Sequence, residues 1–154
     1  MTFRLTSTAF SDEQRIPKRH SCEVEDLSPP LAWSGAPPAT RSFLLLCDDP
    51  DAPGGTWHHW CIFNVPATAT ELKEGVARSA QVGAMRQAVN DFGEIGYRGP
   101  CPPRGHGTHH YHFRLLALDT EQLAVKERAK CKEVAAAARS HAIGTAELVG
   151  TYAR

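Results

Sequence analysis

The stretch Asp48-Asp49-Pro50-Asp51-Ala52-Pro53-Gly54-Gly55-Thr56-Trp57-His58-His59-Trp60 places three carboxylates and two imidazoles in thirteen residues. Prolines and a glycine pair bend the chain between them. A second stretch, Gly99 to Phe113 (GPCPPRGHGTHHYHF), adds four more imidazoles. Side chains of these types support three chemistries: metal ligation, acid–base or nucleophilic catalysis, and recognition of an anionic group.

Any of these needs rigid elements to hold the side chains. Phe43 to Cys47 is a continuous apolar run of strand length, ended by the turn residues Asp-Pro-Asp-Ala-Pro-Gly-Gly. Thr56 to Val65 alternates, which predicts a strand closed by Pro66. Trp57, His59, Cys61, Phe63 and Val65 would share one face, and His58, Trp60, Ile62 and Asn64 the other. His109 to Leu118 predicts a third strand. There His109, Tyr111, Phe113, Leu115 and Ala117 share a face opposite His110, His112, Arg114, Leu116 and Leu118. Between Phe3 and Trp33, strand-like pieces lie around Ile16–Cys22 and Pro29–Trp33. The Ala-, Lys- and Glu-rich run Glu127 to His141 predicts a helix, interrupted by Gly144 before Ala146–Val149.

The alternation sets His59 and His109 on otherwise apolar faces, where an unpaired polar ring costs roughly 1–3 kcal/mol. Each lies beside a Pro/Gly-rich turn, and such turns on a rigid scaffold are where function concentrates. Metal ligation favours clustered imidazoles. However, the one His-x-His pair, His110 and His112, points away from His109, and His58 and His59 point to opposite faces. A nucleophilic Cys–His pair would draw on Cys61 or on Cys101 between its two prolines. Neither thiol stands at an elbow or a helix N-terminus, the settings that activate it. An anion pocket fits better: a carboxylate orients each imidazole, glycine-rich backbone supplies amides, and Pro, Trp and Tyr shape an apolar wall.

Composition narrows the partners. The 17 basic residues balance 17 acidic ones, so no global field favours nucleic acid or an anionic membrane. A length of 154 residues and 42% apolar content fit one globular domain with a substantial core. The eleven prolines and twelve glycines punctuate short runs, as in a β-rich fold. Met1 to Leu5 lacks the marks of a secretory signal, and no apolar run approaches a membrane span. The five cysteines form no Cys-x-x-Cys pair. The expectation is reduced thiols, no metal, no cofactor and a cytoplasmic location.

Asp49–Pro53 (DPDAP), Trp57–Trp60 (WHHW) and Gly99–Phe113 resemble the phosphatidylethanolamine-binding protein family, in its prokaryotic Raf-kinase-inhibitor-like branch. Asp26–Pro38 (DLSPPLAWSGAPP), Asn90–Pro100 (NDFGEIGYRGP) and Ala117–Asp119 support it, so the likeness runs the length of the chain. The resemblance implies a mainly β fold: a single domain, 1–154, built as an antiparallel two-sheet sandwich with a Greek-key element and a short helix near the C-terminus. It also implies an anion pocket formed by Asp49, His59, His109 and Tyr111. Pro53, Gly99 and Pro100 would be its walls, with Pro102 and Pro103 in the adjoining loop. Asp48, Asp51 and His58 are then turn and surface residues. One departure stands out: the middle residue of the family's H-x-Y element is often Arg, and here it is His110. The function implied is binding or regulation. The partner would be a small anionic ligand such as phosphate, phosphoethanolamine or a carboxylate, or a kinase or protease that the chain inhibits, and a homodimer is within the family's habits. The alternatives are an enzyme using Asp49 and the two histidines as general acid and base, and a His-rich metal protein.

Overall fold

The structure is a computed structural model that describes residues 2–154. Its strands are β1 (Arg4–Thr6), β2 (Gln14–Arg15), β3 (Leu31–Ser34), β4 (Ser42–Asp49), β5 (Trp57–Pro66), β6 (Glu71–Leu72), β7 (Gln81–Val82), β8 (Met85–Gln87), β9 (His109–Leu118) and β10 (Ala142–Tyr152). One helix, α1 (Cys131–Ala138), precedes β10. The strands form two sheets. One has seven strands in the order β2-β10-β9-β4-β5-β8-β7, and the other has three in the order β1-β3-β6. The expected mainly β, two-sheet sandwich is present. Pairing is antiparallel except where β2 runs parallel to β10.

Two cores sandwich the large sheet. On the inner face, Leu5, Leu31 and Trp33 of the small sheet pack on Phe43, Leu45, Ile62, Phe113 and Leu115. On the outer face, Val134 and Ala138 of α1 cover Leu44, Leu46, Cys61 and Phe63. Strand β4 is therefore buried at all eight positions, which explains its unbroken apolar run.

Strand β5 departs from simple alternation. Cys47 pairs with Trp60 and Asp48 with His58, so His59 is an extra residue opposite no partner, a β-bulge. The bulge reverses the facing beyond it. Trp60 and Ile62 enter the inner core, while Cys61 and Phe63 join the outer one. The expectation that His59 shares a face with Cys61 and Phe63 is thus corrected. A second irregularity, with Asn64 at φ 55°, returns Val65 to the inner core.

Three other expectations change. The helix starts at Cys131 rather than Glu127, because Arg128 adopts φ 56° and Val89 exchanges backbone hydrogen bonds with Ala129 and Cys131. Helix geometry ends with a 3₁₀ turn over Arg139–His141. Ala146–Val149 then lie in β10, where pairing along β9 overrides local composition. Ile16–Cys22 is no strand: Pro17 leads into a 3₁₀ turn over Lys18–His20. Finally, Cys22 and Cys101 form a disulfide, while Cys47, Cys61 and Cys131 are free and buried. This overturns the expectation of five reduced thiols. Among the described residues no helix is long and apolar enough to cross a membrane.

Candidate functional site

At one end of the inner face, Asp49, His59, His109 and Tyr111 meet around a cavity of about 260 Å³. All four are buried. Asp49 closes β4 and is fully engaged: Oδ1 accepts the Asp51 amide at 2.8 Å, and Oδ2 accepts Nδ1–H of His109 at 2.6 Å. The bulge in β5 turns His59 into the same space. Its Nδ1 lies 2.7 Å from the carbonyl of Arg98. A carbonyl only accepts, so Nδ1 carries the hydrogen and Nε2 is the nitrogen left over. The rings of Phe92 and Tyr111 stand edge-on to His59, with centroids 5.3 and 5.2 Å away. Burial pulls His59 below the ordinary imidazole range, against the Arg98 carbonyl and Asp49, which favour its charged form. Burial, with Asp49 next, pushes the Tyr111 phenol well above its ordinary value, so its O–H remains a donor.

The walls are apolar: Ala52, Pro53, Trp57, Phe92, Pro102 and Pro103, with Cys101 beside them. Trp57 contributes more than surface, because its indole N–H is buried without a hydrogen-bond partner. Phe92 reaches the cavity on a turn built by buried Asn90. The Asn90 side-chain oxygen accepts the amides of Phe92 and Glu94, and its nitrogen donates to the Gly96 carbonyl. Gly99 and Pro100, expected as walls, do not line the cavity. Gly99 sits behind His59, its amide donating to Asp26 Oδ1 at 2.7 Å, where a Cβ would lie 1.9 Å from the His20 carbonyl oxygen.

The structure brings Asp49, His59, His109, Tyr111 and Pro53 together, and it sends Asp48 and His58 to the outer face. Asp48 is no surface residue. It is buried, with His58 Nε2 at 3.8 Å and Arg114 at 3.6 Å, and burial raises its carboxyl pKa against both. His58 is held by the Asp91 carboxylate through ring and backbone. Asp51 is exposed and accepts both the amide and the ring nitrogen of His110. Sequence reasoning expected a Trp in the wall without naming Trp57, and it missed Phe92. It also missed His106, whose Nδ1 lies 2.6 Å from His109 Nε2. The Gly-His-Gly setting of His106 was a visible signal; nothing local marked Phe92.

Residues 6–153 match the family described as phosphatidylethanolamine-binding protein. A UPF0098 protein of Methanothermobacter thermautotrophicus is 47% identical over 152 residues, covering 97% of this chain and 98% of that one. The crystal structure of Escherichia coli YbcL, described as a new member of the mammalian PEBP family, superposes with a TM-score of 0.93 at 36% identity. It covers 100% of this chain and 99% of YbcL. The carboxypeptidase Y inhibitor, solved with its cognate proteinase, shares the fold at a TM-score of 0.58 and 15% identity. There the match covers 98% of this chain and 82% of the inhibitor.

Proposed function

The chain belongs to the phosphatidylethanolamine-binding protein family, and from that premise we propose that its cavity binds a small, partly protonated oxyanion of the phosphate type. The hydrogen-bond pattern left open at the cavity carries this reading. His59 offers Nε2 and Tyr111 its O–H. Neutral His59 presents a lone pair at Nε2. Dihydrogen phosphate, the singly charged form, can donate one of its O–H groups there while another of its oxygens accepts from Tyr111. A fully ionised ligand needs His59 protonated instead, against the effect of its burial. Asp49 has both oxygens committed and acts by fixing His109. The thiol beside the cavity, Cys101, is held in the disulfide, so it is no nucleophile, and the reading is binding rather than covalent turnover.

The two routes have the same pH sign. Raising pH either converts the singly charged phosphate to the doubly charged one, costlier to bury, or removes the His59 proton, so binding weakens. Titrating inorganic phosphate into ¹⁵N-labelled protein from pH 5.5 to 8 is expected to show that loss. His59→Ala should lower affinity by about tenfold or more, the scale of one charge-assisted hydrogen bond. Affinity that stays flat across this range, or survives the substitution, rules the reading out.

A further inference from the structure

His109 does not face the cavity with a free nitrogen. Its Nδ1–H is committed to Asp49 Oδ2, and its Nε2 lies 2.6 Å from Nδ1 of His106. A nitrogen–nitrogen contact that short holds a single proton, and a ligand oxygen cannot share the same line. The contact joins unlike partners: His109 is buried on β9, whereas His106 is exposed. His106 stands between Gly105 and Gly107, at φ 75° and 99°, and a Cβ at either glycine would meet nothing within 4 Å. Among the described residues, backbone bonds hold this tip from the His106 amide to the Pro103 carbonyl and from the Gly105 amide to the Arg154 carbonyl. The imidazole thus sits on an exposed, glycine-flanked tip and covers the one nitrogen that His109 could offer a ligand.

We infer that His106 is a displaceable gate, an occupant from within the chain of the position a ligand oxygen takes when it bonds His109. The inference rests on the oxyanion reading of the cavity. His106 is a positioning and selecting residue. A ligand that engages only His59 leaves the gate shut, while one with a second strong acceptor or donor, as a phosphate has, displaces His106 and gains His109. Removing the His106 ring removes the competitor.

Inorganic phosphate is the probe, with the wild type and His106→Ala compared by NMR titration. His106 is exposed, so the truncation is expected to leave the fold intact, which the ligand-free spectrum of the variant checks. The variant is expected to bind phosphate roughly threefold to tenfold more tightly, the worth of one neutral hydrogen bond no longer displaced. In wild-type protein labelled with ¹⁵N, a scalar coupling between His106 Nδ1 and His109 Nε2 should be present without ligand. It should vanish at phosphate saturation. Equal or weaker binding by the variant, or a coupling that persists at saturation, overturns the gate while the oxyanion reading stands. No binding by either protein overturns both.

Discussion

His59 is set by two opposing influences. Burial disfavours its charged form, while the Arg98 carbonyl and Asp49 favour it, and burial prevails. The folded state therefore binds this proton less well than the unfolded chain, whose imidazole titrates near its ordinary value of about 6.5. Above that value His59 is neutral in both states and contributes no pH dependence. As pH falls below it, the unfolded chain takes up the proton first and stability is lost. His20, also lowered by burial, acts in the same direction. Asp26 and Asp48, raised by burial, act in the opposite direction as they take up protons. Urea midpoints in phosphate-free buffer should fall from pH 7.5 to 5.5, and His59→Gln should fall by less. Equal falls would show that His59 is not the group responsible. Alternation flagged His59 and His109 as polar rings on apolar faces, and the family pattern marked them together with Asp49 and Tyr111; the four meet around one cavity, although the bulge sets His59 opposite the face of Cys61 and Phe63. Asp48 was misread as surface. Its carboxylate ends a strand buried on both faces, and nothing in a local pattern reveals a second buried face.

At the level of elements, β4, β5 and β9 were legible because runs and alternation report burial directly. The bulge at His59 was not, since an inserted residue exists only relative to the partner strand. The helix was over-extended because its Ala- and Lys-rich approach has helical propensity, yet Val89 claims that backbone. The segment behind His59 is tightly packed and does not line the cavity. Gly99 lies in a slot formed by the His20 carbonyl, Asp26 and the Tyr97 hydroxyl, which itself donates to the His20 carbonyl at 2.6 Å. A Cβ there would lie 2.7 Å from both Asp26 Oδ1 and Tyr97 Oη, besides the closer contact with backbone. Gly99→Ala should therefore cost about 1–3 kcal/mol, the range for overpacking a tight interior. Because the Arg98 carbonyl moves with it, the His59 Nδ1 resonance should shift as well. Urea unfolding and imidazole ¹⁵N spectra read the two effects. Unchanged stability with an unshifted His59 would mean the slot opens freely and the clamp does not hold the ring.

At the scale of the molecule, one cavity wall does not belong to the sheets. Cys101 to Pro103 is fastened to chain segments that begin and end the sequence. Cys22 is bonded to Cys101 and its amide donates to Pro100, while the Arg154 side chain donates to the Pro102 carbonyl. The Cys22 loop is in turn tied to the end of β10, where Tyr152 shares hydrogen bonds with Ser21 and Glu23 and carries the Arg15 guanidinium over its ring. The sequence offered five cysteines without pairing. Only the approach of two loops separated by 79 positions identifies the bonded pair, which local spacing cannot show. Closing so long a loop restricts the unfolded chain by about 4.5 kcal/mol in the chain-entropy account. Reduction by a dithiol, or Cys22→Ser with Cys101→Ser, should lower the urea midpoint toward that loss. The same changes should weaken phosphate binding several-fold, because the Pro102–Pro103 wall keeps only its backbone and Arg154 contacts. Thiol counting in denaturant provides the control: three groups should react before reduction and five after. Five reactive thiols at the outset would show that the bond does not form in the isolated protein. A lowered midpoint with unaltered phosphate affinity would instead show that β4, β5 and β9 hold the pocket without this wall, confining the disulfide's role to stability.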